Sequence, residues 1–502
     1  MHVYKQEEHM ATENTLLKKL IRNKVAKSLT GNPEDLRKLL DITKAQPQIH
    51  NDPGVSNFFT NLDRSLKEGT NFSKIFLRVG NETSKSYKRS LVQNLIINQF
   101  IDGRRKRRSL ETEDNVIPNL LVISPTMRCN LNCTGCYSGL YTKHGDLSEE
   151  ELDRVLGEAR DMGIYFIVIS GGEPYVMKDI LLRLFKKYND MFFLTYTNGT
   201  FIDEKTAKTL AKLGNVAPAI SVEGWEAETD QRRGKGMWEK INRAMANLRK
   251  AGVIFGISVT YTRHNIDVVT DDAFLEYFLK KGALFGWYFM FMPVGKDPIL
   301  DLVPTPEQRV YTGNRVEQMR DKYPVFLADF WNDGDAVGGC LAGGRQYLHI
   351  LNSGNVEPCV FAHFGKDNIR EKPLLEIVNS DYFKAIRAEF PYNEKANLKR
   401  PCMIIDNPEV LRKVVREGVG EGHEHGEDLI RDPNVVEWID NYAEEYKNLR
   451  EDEWEKRIND PNDRWYKEKE EYQNLFHWKK LGEKYGSRFE DKTEEKKEEV
   501  NV

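Results

Sequence analysis

Between residue 119 and about residue 295, short apolar runs alternate with stretches of helical periodicity. The runs at 120–124, 166–170, 192–197, 218–222, 255–260 and 287–292 predict six strands. Intervening segments such as 148–162 and 239–250 repeat apolar residues at the 3.6-residue spacing of a helix. Strand–helix alternation predicts a parallel sheet, wound either as a partial barrel or as an open doubly wound sheet. In both, functional residues collect at the carboxyl ends of the strands.

The flanks read differently. Residues 1–118 are predicted helical: apolar positions from Leu16 to Leu29 fall at helical spacing, Asn32-Pro33-Glu34-Asp35 starts a helix over 36–42, and a third periodic stretch covers 87–101. That stretch ends in Arg104-Arg105-Lys106-Arg107-Arg108, expected to be a solvated helix end, with contact to phosphates of lipid head groups or nucleic acid as the functional alternative. Acidic residues 111–114 and Pro118 read as a linker. Past 295 an irregular region with glycine pairs runs to about 408. Residues 409–502 are charged and helical, and 492–502 hold too little apolar content to fold.

The expected organisation is therefore a basic helical region at 1–118, a core at 119–295, a cysteine-bearing extension at 296–408 and a charged helical region at 409–502. The sequence carries no apolar run of membrane-spanning length, no signal-peptide layout and no strong nucleic-acid signal. The expected location is cytoplasmic, with peripheral membrane contact through the basic region as the variant. Six cysteines without a secretion signal suit metal binding or catalysis better than disulfides.

Candidate chemistry concentrates at the predicted strand ends. Cys129, Cys133 and Cys136 are packed into eight residues after the first strand. Soft thiolates at this spacing favour an iron–sulfur cluster or zinc, and the loop has no fourth cysteine, which leaves a coordination position open. At the end of the second strand, Ser170-Gly171-Gly172-Glu173-Pro174 lets the backbone approach a ligand closely, and Glu173 can accept a hydrogen bond from a protonated amine. Thr197-Asn198-Gly199 closes the third strand and Ser221-Val222-Glu223-Gly224 the fourth; simple turn chemistry is the alternative for Asn198 and Ser221. The aromatic strand at 287–292 reads mainly as core. A strand–turn–strand, 346–350 and 356–360, would bring Cys340, which precedes it, and Cys359, within its second strand, together, with Cys402 as a third thiol; His363, Asp406 and His349 are candidates for a fourth ligand. His423-Glu424-His425 is expected to be solvated.

The Cys129/Cys133/Cys136 spacing followed by Tyr137, with Gly171-Gly172-Glu173-Pro174 one strand later, resembles the signature of radical S-adenosylmethionine (SAM) enzymes. The resemblance implies a partial (β/α)6 barrel and a [4Fe-4S] cluster on the three cysteines whose open iron is chelated by SAM. It further implies that Gly171, Gly172 and Glu173 contact the methionyl amino group, that Tyr137 lies beside the adenine, and that Asn198, Ser221 and Glu223 reach the ribose or carboxylate. Glu223 stands where Asp is commoner in the family.

Cys340, Gly354 and Cys359 resemble the opening half of the SPASM/Twitch extension, which implies an auxiliary [4Fe-4S] cluster on Cys340, Cys359 and Cys402. The further cysteines of a full SPASM are absent, leaving enough for one cluster. The implied reaction is reductive SAM cleavage to a 5′-deoxyadenosyl radical that abstracts hydrogen from a peptide, small molecule or lipid, with ferredoxin or flavodoxin as external reductant. Two alternatives are a lipid-chain-coupling radical SAM enzyme and, from another class, a non-enzymatic iron–sulfur or zinc scaffold.

Overall fold

The computed structural model describes residues 31–44, 53–112, 115–295, 299–417, 419–423, 426 and 428–467. The helix predicted over 16–29, the tail at 492–502 and His425 lie outside the described residues.

The six predicted strands are present as β1 (Leu120–Ile123), β2 (Phe166–Ile169), β3 (Phe192–Thr197), β4 (Val216–Val222), β5 (Gly256–Tyr261) and β6 (Phe285–Met290). Each pairs in parallel with the next, in sequence order. A doubly wound sheet reverses its strand order at a switch point; this one does not, so it winds in one direction as a partial barrel.

Two extensions escaped the periodicity. A seventh strand, β7 (Phe326–Asp329), lies past the expected core boundary at 295 and pairs in parallel with β6, Phe285 opposite Phe326. Its four residues at a sheet edge carry too little alternation to stand out. At the other edge, β8 (His349–Ile350) pairs in parallel with β1, and β9 (Asn355–Glu357) folds back antiparallel on β8. The hairpin is shorter than expected because Cys359 leaves the ladder for a single bridge to Ala362. With β10 (Phe364–Gly365) in a separate pair, β11 (Asp367–Asn368) completes a ten-stranded sheet whose outer strands are β11 and β7.

The N-terminal helices close the opposite end of the barrel. The 87–101 stretch does not end at the basic run: a π-helix, Leu91–Gly103, continues directly into the helix Arg104–Leu110. Its buried polar side chains donate to carbonyls that precede the strands, Asn94 Nδ2 to Met191 O (2.8 Å) and Gln99 Nε2 to Asn119 O (2.7 Å). Upstream, the Tyr87 hydroxyl donates to Val216 O. Arg107, expected in solvent, is buried and donates to the carbonyls of Gly163 and Gln99. An arginine can satisfy several carbonyls at a helix–sheet junction, which a count of charges cannot reveal. The amino ends of the strands are thus sealed, and the carboxyl ends remain for chemistry. Among the described residues no helix is long and apolar enough to cross a membrane.

Candidate functional site

Cys129, Cys133 and Cys136 sit on the loop from β1 to the helix Glu149–Asp161 and line one cavity of about 560 Å³. Main-chain hydrogen bonds hold that loop against the end of β2: Gly172 N to Thr126 O (3.0 Å) and Glu173 N to Arg128 O (2.9 Å). The two glycines are required by this contact. A Cβ on Gly171, which has φ +117°, would overlap the Thr126 carbonyl, and one on Gly172 would overlap the carbonyls of Arg128 and Met127. Both glycines also line the cavity, so they bring the loop and any ligand equally close.

The remaining sequence-predicted residues divide. Tyr137 lines the cavity with its hydroxyl 3.0 Å from Ser170 Oγ and its ring edge-on to Phe361, 5.4 Å between centroids. Burial pushes its phenol up to about 12, so it is neutral. Asn198 and Ser221 also line the cavity; the Asn198 amide donates to Asn130 Oδ1 (2.9 Å), tying β3 to the cysteine loop.

Glu173 turns inward instead. Its carboxylate accepts from Asn198 N (2.8 Å), Thr197 Oγ1 (2.8 Å) and Tyr175 N (3.0 Å) and does not line the cavity. Burial outweighs these three donors and pushes its pKa up to about 7. Glu173 therefore clamps the end of β2 to that of β3 and is not placed to receive an amine.

Glu223 differs from expectation more sharply. It is 1% exposed and both its oxygens are taken, one by Arg232 Nη1 (2.5 Å) and one by Arg233 Nε (2.8 Å). The ion pairs leave Glu223 behind the wall and bring Arg232 and Arg233 into the cavity lining, where the sequence analysis had not placed them. The available signal was the Arg-Arg pair ending the helix Glu226–Arg233, one loop after Glu223.

The inward positions of the barrel supply the rest of the lining. Alternate residues of β2, β3 and β6, Phe166 and Val168, Leu194 and Tyr196, Trp287 and Phe289, face the cavity, so the aromatic strand is pocket as well as core.

Cys340, Cys359 and Cys402 line a second cavity, of about 880 Å³, which shares Trp287, Phe330, Leu341 and Phe361 with the first. Burial pushes each of these thiols up to about 12, with the neighbouring cysteines adding to the rise. In the first cavity burial likewise raises Cys129 and Cys133, opposed at Cys133 by Arg233 and Arg232. Buried thiols held neutral in this way become thiolates when a cationic centre replaces the lost hydration.

Among the described residues no three Cys, His, Asp or Glu side chains close as tightly as one metal ion requires. Three soft thiols lining each cavity suit the ligation of an iron–sulfur cluster.

Two fourth-ligand candidates are already engaged. His349 is buried with Nε2 2.7 Å from Ser124 Oγ and Nδ1 3.0 Å from Glu357 Oε2, and burial drives it down to about 3. Asp406 gives both oxygens to Arg309 and accepts from Cys402 N (2.9 Å). His363 is buried with its ring centroid 4.6 Å from that of Tyr141.

Comparison with known proteins follows the same division. The radical SAM superfamily pattern matches residues 123–279, and the SPASM iron–sulfur cluster-binding domain matches 340–403. The AdoMet-dependent heme synthase of Methanosarcina barkeri is 26% identical over 323 residues, 58% of this chain and 90% of that protein. Mycofactocin maturase MftC of Mycolicibacterium smegmatis is 31% identical over 257 residues, 49% of this chain and 65% of that protein. Among solved structures, Streptococcus suis SuiB bound to precursor peptide SuiA is 18% identical, spans 62% of this chain and 82% of its own, and has a TM-score of 0.47.

Proposed function

We propose, for a chain that is a radical SAM enzyme with a SPASM region and takes SAM and [4Fe-4S] clusters as cofactors, that Cys129, Cys133 and Cys136 hold the SAM-binding cluster and that Cys340, Cys359 and Cys402 hold an auxiliary one. The scaffold alternative is set aside, because the relatives are synthases and maturases. The 119–295 segment with β7 forms the reaction chamber in this reading, and the extension from 296 to 408 the auxiliary site.

One observation carries the proposal: each set of three thiols faces its own cavity, and the two cavities meet at a shared wall of Trp287, Phe330, Leu341 and Phe361. A cluster held by Cys129, Cys133 and Cys136, with ferredoxin or flavodoxin as external reductant, would supply the one-electron chemistry of reductive SAM cleavage. The protein's own residues do the rest. Gly171 and Gly172 let SAM approach the end of β2, and Asn198 and Ser221 offer polar contacts to it. Arg232 and Arg233 keep positive charge at the rim beside Cys133. Phe166, Leu194, Trp287 and Phe289 exclude water from the barrel interior, where a radical must be kept from side reactions.

That interior favours a substrate presenting an apolar or aromatic group for hydrogen abstraction. With a heme synthase and a PqqA peptide cyclase among the similar proteins, a tetrapyrrole and a peptide are the first compounds to try. The test is anaerobic reconstitution with iron and sulfide, then dithionite and SAM. Wild type is expected to release 5′-deoxyadenosine and Cys133→Ala to release none while keeping the auxiliary iron; equal nucleoside yield from the two proteins would refute the cysteine assignment.

A further inference from the structure

Tyr347 stands between the two cavities. Its side chain lines the cavity of the SAM-side cysteines, and its hydroxyl donates to Cys359 Sγ at 3.1 Å, a sulfur that lines the other cavity. The residue is 3% exposed, so water does not compete for that contact.

Its position is fixed from several sides. Tyr347 N donates to Leu341 O (3.0 Å) and Tyr347 O accepts from Gly344 N (3.0 Å), closing the turn that follows Cys340. The next residue, Leu348, accepts from Val122 N (3.0 Å) in β1, the strand that leads into the Cys129 loop. The ring packs against Phe330 of the shared wall, 6.2 Å between centroids. Both cysteine sets are therefore tied to Tyr347 through short, buried connections.

We infer that Tyr347 is a positioning residue of the auxiliary site, which donates a hydrogen bond to the Cys359 thiolate from the substrate side of the wall and so holds the auxiliary cluster at a higher reduction potential. A donor to a ligand sulfur withdraws electron density from the cluster and stabilises its reduced, more negative state. Because the donor's ring lines the cavity of Cys129, Cys133 and Cys136, the potential of the auxiliary site is set by a side chain that faces that cavity. This inference rests on the assignment of Cys340, Cys359 and Cys402 proposed above.

The experiment uses the full chain carrying Cys133→Ala, so that the auxiliary cluster is observed alone, reconstituted anaerobically and titrated potentiometrically by electron paramagnetic resonance. Adding Tyr347→Phe keeps the ring and removes the donor. The expected result is unchanged iron with at least a tenfold lower reduced-to-oxidised ratio at fixed potential, equivalent to a downward shift of about 59 mV for one electron. Site-specific 3-fluorotyrosine at 347, a stronger donor of nearly the same shape, is expected to move the ratio the opposite way, and remains informative if Tyr347→Phe loses its iron. A merely structural role would lower the iron content and leave the midpoint of the surviving clusters unmoved. Unchanged midpoints in both variants would overturn the inference while leaving the ligand assignment intact. Failure of the Cys133→Ala protein to hold any cluster would instead overturn the assignment, and the inference with it.

Discussion

Arg309→Met removes the cation from a fully buried ion pair beside Cys402. Arg309, on the helix Pro306–Lys322, is 0% exposed; it meets both oxygens of Asp406 (2.5 and 3.0 Å), donates to Trp331 O (3.1 Å) and lies 3.9 Å from the centroid of the Tyr446 ring. Without it the Asp406 carboxylate keeps, of these partners, only the Cys402 amide (2.9 Å). Breaking a buried pair from one side costs about 3–5 kcal/mol, because a charge is left without hydration or partner. At about 1.4 kcal/mol per decade, that is roughly a hundredfold to several thousandfold in the local opening equilibrium.

The loss should appear first as faster hydrogen exchange at the Cys402 amide, which donates to Asp406, and at the Asn407 amide, which donates to Cys402 O (3.0 Å), and as loss of auxiliary iron, with 5′-deoxyadenosine release retained. Pairing Arg309→Met with Asp406→Asn removes both charges and is expected to recover most of the protection. Acceleration of less than tenfold, or a double variant no better than the single, would refute the reasoning.

Other outcomes follow from the same geometry. Glu173 has a folded-state pKa of about 7 against an ordinary 4.5, so its contribution to stability is fullest below pH 4.5 and falls by about 3 kcal/mol as pH rises toward 7; urea midpoints of SAM-free protein should show this pH slope, and Glu173→Gln should flatten it. Gly172→Ala must displace the Cys129 loop, because the new Cβ meets two carbonyls, and is expected to lose the iron held by that loop, whereas Gly157→Ala, within the helix Glu149–Asp161 and with its new Cβ no closer than 3.5 Å to the Tyr188 hydroxyl, should keep it. Arg107→Met leaves two buried carbonyls without their donor and is expected to lower stability by about 1–3 kcal/mol, read from urea midpoints, with SAM cleavage per bound iron unchanged.

The legible part of this chain is the part written in local patterns. Short apolar runs alternating with helical stretches marked six strands, and cysteines at close spacing after β1 marked a site at the carboxyl ends. What could not be read depends on partners distant in sequence. Glu223 looks like a free carboxylate until Arg232 and Arg233 fold onto it, and Glu173 looks like an amine acceptor until Thr197 and Asn198 fill its oxygens. Arg107 counts as surface charge until Gly163 lies within reach, and β7 has no alternation of its own, being recognisable only beside β6. The hairpin at Cys359 was visible, but its parallel docking on β1 was not.

That docking has a mechanical consequence. β1 would otherwise be the first edge of the parallel sheet, with a row of unpaired amides and carbonyls inviting another strand. Four amides along that edge are spent on the extension: Asn119 N and Leu120 N on Gln346 O (2.8 and 3.1 Å), Val122 N on Leu348 O (3.0 Å) and Ser124 N on Ile350 O (2.8 Å). The cysteine-bearing extension therefore serves as the edge guard of the parallel sheet. A chain ending near residue 295 would keep Cys129, Cys133 and Cys136 yet expose the strand that feeds their loop to pairing between molecules.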